Sequence, residues 1–89
     1  MKIKEGYMIK TIGGERVVIV QGRTGMDLTK IISFNAVAEW LWNTFSGIDF
    51  TENEVADILV KQYGMDAGQA AADAHQWTVQ LTDTRLLEL

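Results

Sequence analysis

The stretch 31–47, IISFNAVAEWLWNTFSG, constrains the fold more than any other part of the chain. Its first residues alternate as in a strand, with Ile32 and Phe34 on one face and Ile31 and Ser33 on the other. From Asn35 onward the apolar period lengthens to that of a helix, and Val37, Ala38, Leu41, Trp42 and Phe45 join Phe34 in one stripe. The spacing therefore predicts a strand that turns directly into an amphipathic helix, with Asn35 at the junction. A strand ending at the base of a helix sets a row of unpaired backbone groups beside an apolar groove. That arrangement suits the capture of extended peptides.

The other elements fall into place around this unit. Residues 7–12 and 16–20 are strand-like runs joined by Gly13-Gly14, a pair that supplies the positive φ angles of a tight hairpin. The consecutive β-branched residues Val17, Val18, Ile19 and Val20 favour a strand that is apolar on both faces. Residues 21–27, QGRTGMD, read as a loop, and residues 28–34 as the third strand. Helix one is expected over 35–45 with Gly47 as its stop. Thr51 and Glu54 form a capping box that opens helix two, whose buried side is Val55, Ile58, Leu59 and Tyr63, and Gly64 ends it. Asp66 caps helix three, where Ala67, Ala70, Ala71, Ala74, Trp77, Thr78 and Leu81 share a face, and the final Leu86-Leu87-Glu88-Leu89 packs back as an apolar tail. The order predicts an α+β, winged-helix-like fold: an N-terminal three-stranded antiparallel β-sheet followed by three α-helices.

Length and composition remove most other classes. Eighty-nine residues, 1–89, are expected to make a single small domain, one that buries only about 60–65% of its unfolded surface. Without Cys there is no disulfide, zinc-thiolate or iron–sulfur framework and no thiol nucleophile. The opening MKIKEGYMIK lacks the apolar core of a signal peptide, and no apolar run approaches the length of a membrane span, so a soluble cytoplasmic protein is expected.

The net charge of −4 conceals an asymmetry. Residues 1–33 carry six basic against three acidic side chains, a balance of +3, whereas residues 34–84 carry eight acids against Lys61 alone, a balance of −7. Between Asp66 and Thr84 there is neither Lys nor Arg. A DNA-reading third helix needs such cations, because phosphate contacts dominate affinity, so a winged-helix DNA-binding regulator is disfavoured.

Three segments also resemble a known family. FNAVAEWLWNTFSG, TENEVADILVKQYGMD and DAHQWTVQLTDTRLLE, in this order, are similar to the PqqD-like family. Asn35, Val37, Ala38, Leu41, Trp42 and Gly47 match the first block; Thr51, Glu54, Val55, Leu59 and Tyr63 the second; Asp73, Trp77, Leu81, Leu86 and Leu87 the third. The resemblance spans about residues 7–88. The chain departs from the pattern at Arg85, where the family usually has Gly before the final Leu pair, and in the Ala-rich start of helix three, whose small side chains suit a wider groove.

The resemblance implies a stand-alone recognition element for ribosomally made precursor peptides in cofactor or natural-product biosynthesis. Such a module binds the leader by β-strand addition to the third strand, against helix three, and presents it to a radical S-adenosylmethionine (SAM) enzyme. Mapped onto this chain, Lys30, Ile31, Ile32 and Ser33 are the strand contacts, and Ala71, Ala74, His75 and Thr78 the helix-three contacts. Lys30 and the other N-terminal lysines favour an acidic leader.

Each residue singled out has a plainer reading too. His75, the only histidine, lacks co-ligands for a metal and is either a partly exposed helix residue or a groove contact. Trp42 and Trp77 lie on apolar stripes and belong to the core. Trp40 falls off the stripe; it is either a partner contact or packs against the N-terminal strands or a second copy. Ser33, Ser46, His75 and the scattered acids form no catalytic constellation, so no enzyme activity, cofactor or metal is expected. A structural docking subunit of a modifying enzyme would share this composition, and the oligomeric state is open.

Overall fold

A computed structural model describes residues 1–20 and 30–88; the loop expected at 21–27, the strand positions Leu28 and Thr29, Leu89, and the side chains of Val20, Lys30 and Ile31 lie outside the described set. The elements run β1 (Lys2–Ile3), β2 (Lys10–Ile12), β3 (Glu15–Val20), β4 (Lys30–Phe34), α1 (Ala36–Phe45), α2 (Glu52–Tyr63), α3 (Ala67–Asp83) and β5 (Leu87–Glu88). An antiparallel sheet of order β2-β3-β4 precedes three helices, so the fold is α+β. The chain ends add a second sheet that the sequence pattern does not announce, in which β1 pairs antiparallel with β5.

The hairpin forms as its turn residues dictate. Gly13 and Gly14 sit at φ 60° and 82°, the doubly left-handed geometry of a two-residue turn whose twist matches the flanking strands. It pairs Ile12 with Glu15. β2 is shorter than the expected 7–12, because Tyr7 and Ile9 pack against the core instead of extending the ladder.

Helix α1 begins where Asn35 places its side-chain oxygen 2.8 Å from the Ala38 N–H, which satisfies a donor that the first turn leaves free. The Thr51/Glu54 capping box opens α2, and Asp66 accepts from the Gly68 and Gln69 N–H groups at 3.0 and 3.3 Å to open α3. On α3 the buried residues are Ala70, Ala74, Trp77, Thr78 and Leu81, whereas Ala67 and Ala71 are exposed, each lying beyond the edge of the stripe that α2 covers. Tyr63, expected on the buried side of α2, is 43% exposed, because the last turn of α2 extends past the core.

The end of α3 explains the departure at Arg85. The Leu86 N–H donates to the Leu81 carbonyl at 2.8 Å and the Arg85 N–H to that of Thr82 at 3.0 Å. These are the two bonds of a Schellman motif, and its accompanying apolar contact is supplied by Leu81 and Leu86, both fully buried. The motif requires a left-handed residue at the position of Arg85, which sits at φ 60°. The geometry that glycine adopts without strain is thus retained by a residue that pays for it. Arg85→Gly is expected to stabilise the fold by about 0.5–1 kcal/mol, seen as a higher urea midpoint with an unchanged slope.

One core joins all the layers. Val18, Ile32 and Phe34 come from the sheet, Leu41, Trp42 and Phe45 from α1, Val55 and Leu59 from α2, and Leu81 from α3, with Phe50, Leu86 and Ile3 closing the ends. Phe50, in the connection between α1 and α2, stacks on Phe45 and Trp77 with ring centroids 4.7 and 5.8 Å away. Arg16 Nε meets Glu39 Oε2 at 2.8 Å and ties β3 to α1. That half-exposed pair contributes at most about 1 kcal/mol.

Candidate functional site

β4 forms one edge of the three-stranded sheet, and its register fixes which backbone groups face outward. In a two-residue hairpin the residues flanking the turn exchange both hydrogen bonds, so Ile12–Glu15 is a bonded pair. The pattern alternates, which makes Lys10–Val17 bonded as well and turns the N–H and C=O groups of Glu15 and Val17 toward β2. Arg16 and Val18 therefore turn theirs toward β4, bonding Phe34 and Ile32. The backbone groups of Ile31 and Ser33 are left pointing away from the sheet. Two consecutive positions of this kind are the template for one more strand.

Beside the exit of this strand lies a cleft of about 210 Å³, lined by Asn35, Val37, Ala38 and Leu41 on the α1 side and by Asp73, Gln76, Trp77 and Gln80 on the α3 side. Its floor is apolar. Its rim consists of three amides and one carboxylate. The Trp77 Nε1–H is the one buried side-chain polar atom without a partner among the described residues. In those residues no group of His, Asp and Glu is placed to hold a metal ion, and no helix is long and apolar enough to cross a membrane.

A family model described as coenzyme PQQ synthesis protein D (PqqD) matches residues 16–87. The chain belongs to the PqqD family. No curated protein and no solved structure gives a match. The PqqD match begins inside β3 and ends inside β5, so it contains the β4 edge and the cleft but neither β1 nor β2.

Within this PqqD-family frame the residues singled out from the sequence separate into groups. Ser33 is exposed on the β4 edge, whereas Ile32 is 6% exposed and belongs to the core, so it cannot be altered without disturbing the fold. Ala71 is exposed and Ala74 is fully buried in the core. His75 and Thr78 turn toward α2: the Thr78 hydroxyl donates to Glu52 Oε1 at 2.7 Å, and His75 Nδ1 lies 3.2 Å from the same oxygen. None of these α3 residues lines the cleft, which is built from the Asp73, Gln76 and Gln80 flank instead. The Ala-rich pattern did not indicate that flank, because a helical stripe specifies buried positions without saying which neighbour each side meets. Trp40 is half-buried and meets the Tyr63 ring edge-on, with centroids 5.5 Å apart and planes at 87°. A second hollow, of about 540 Å³, is lined by Glu5, Gly6, Tyr7, Met8, Lys10 and Ile19.

The α2–α3 contact makes one titration prediction. Donation by Thr78, and after it by His75, holds the Glu52 carboxyl below its ordinary value, with slight burial opposing the shift. A lowered folded-state value means that Glu52 contributes its full stabilisation above the unfolded carboxylate value. That contribution is lost as pH falls through the lower folded value. Thr78→Val is expected to move the Glu52 titration upward, read from its side-chain carboxyl resonance. The stability difference between the variant and the parent should narrow at a pH below both values.

Proposed function

We propose that this chain captures the leader of a ribosomally made precursor peptide by strand addition to β4 and presents the adjoining segment to a radical SAM enzyme, without catalysing a reaction itself. The observation that carries this reading is the pair of outward-facing backbone positions, Ile31 and Ser33, on the edge strand that leads into Asn35, a residue of the α1–α3 cleft. Membership of a family described as coenzyme PQQ synthesis protein D supports it. Main-chain bonding along β4 supplies affinity that is indifferent to sequence, and the cleft supplies selectivity for alternate side chains.

The enzyme partner suits a different face. Trp40, Val60 and Tyr63 bring aromatic and aliphatic surface together where α1 meets the end of α2, the residue types that anchor interfaces.

A backbone amide NMR titration with the short peptide encoded nearest to this chain tests the reading. Shifts should concentrate on residues 30–34 and on Asp73, Gln76, Trp77 and Gln80. No shifts at millimolar peptide would instead favour a docking subunit that does not touch the substrate.

A further inference from the structure

The lining of the α1–α3 cleft restricts what can occupy it. Its floor, made by Val37, Ala38, Leu41 and the Trp77 ring, offers apolar contact and no charge. On its rim Asp73 is the single ionisable group; Asn35, Gln76 and Gln80 are neutral. One Asp73 oxygen, Oδ1, accepts from Gln69 Nε2 at 2.7 Å. Among the described residues no cation lies within ion-pair distance of this carboxylate, and α3 contains neither Lys nor Arg. The nearby α1 carboxylate, Glu39, is already paired with Arg16. A half-buried carboxylate on an otherwise uncharged rim attracts a cation and disfavours an anion.

Spacing adds a second constraint. Asp73 and Trp77 stand one helical turn apart on the same flank of α3, a rise of about 6 Å. In an extended peptide, residues i and i+2 share a face about 6.6–6.8 Å apart. A segment lying along the cleft can therefore seat one side chain on the Trp77 floor and bring its second neighbour opposite Asp73.

We infer that the segment entering this cleft carries a branched aliphatic side chain and, two residues away, a lysine or arginine that pairs with Asp73. The inference rests on the strand-addition reading above and names the chemistry of its ligand. It assigns to the cleft a charge preference opposite to the acidic one that the N-terminal lysines suggest, so the leader is basic where it meets α3.

The test is a phage-displayed library of random heptapeptides panned against the parent protein, Asp73→Asn and Asp73→Lys, each confirmed as folded by circular dichroism. Clones from the parent should be enriched in Lys or Arg two positions from Leu, Ile or Val. A synthetic consensus peptide should lose about three- to tenfold in affinity on Asp73→Asn, and less at high salt, where a partly exposed pair is screened. Asp73→Lys should turn the enrichment toward Asp and Glu. Enriched peptides that shift the amides of residues 30–34 but show no basic preference, or one unchanged by either substitution, overturn this inference and leave strand addition standing. Failure of any peptide to be enriched, or shifts elsewhere on the surface, overturns both.

Discussion

Replacing Phe50 by alanine is expected to lower the melting temperature by roughly 15–30 °C. The side chain is 2% exposed and lies between Phe45 and Trp77, so it joins the α1–α2 connection to α1 and α3 at one point. Truncating a fully buried phenylalanine costs about 3–5 kcal/mol, combining lost transfer energy with a cavity that the neighbours fill incompletely. A domain of this size holds only about 5–15 kcal/mol in total. Each kcal/mol shifts the midpoint by about 4–8 °C. Phe50→Leu keeps most of the volume and should recover more than half of the loss. Thermal unfolding followed by circular dichroism gives both values; a shift below 5 °C for the alanine variant would show that the aromatic cluster is not a central support.

Proline at position 33 is expected to abolish peptide capture while leaving the fold nearly intact. Because Val17 bonds to β2, the Ser33 N–H faces outward and donates to no strand of the sheet. Ser33→Pro removes one donor from the free edge and places a ring where an added strand must lie, a substitution that edge strands tolerate. Leader affinity should fall at least tenfold, since a lost main-chain bond and a steric block act together. Stability should change by no more than about 1 kcal/mol. Ile32→Pro is the contrasting variant: its N–H faces Val18 of β3 and its side chain is core, so the same change one residue earlier should unfold the sheet. Isothermal titration with the leader and urea denaturation separate the two effects. Unchanged affinity in a folded Ser33→Pro protein would rule out strand addition at β4.

The contrast between positions 32 and 33 shows how far the sequence carries. The helical stripe identified Phe34, Leu41, Trp42 and Leu81 as core, because burial imposes a period on the chain, whereas Ile32, read as a leader contact, turned out to be core as well. Caps were equally legible at Thr51 and Asp66, where short polar side chains answer local backbone donors, while Asn35, placed only at the junction, proves to be the N-cap of α1. Tyr63 was misassigned because a stripe does not reveal where the core ends. The cleft flank of α3 was missed for a related reason: Asp73, Gln76 and Gln80 gain their meaning from α1 across the gap, and nothing local marks them. β1 and β5 have two residues each, too few to display any period.

Those two short strands have a bearing on the order of assembly. Lys2 opposes Glu88 and Ile3 opposes Leu87, and the Lys4 N–H extends the pair by donating to the Leu86 carbonyl at 2.8 Å. The hairpin and the α2–α3 pair join near neighbours in sequence, whereas this contact closes a loop containing almost the whole chain. Its entropy must be lost before any bond repays it. During synthesis the first strand therefore waits, unpaired, until the last one has emerged. Ile3 and Leu87, 3% and 7% exposed, are covered by core contacts at this seam, so the part of the interior beneath it depends on the contact with the longest loop to close.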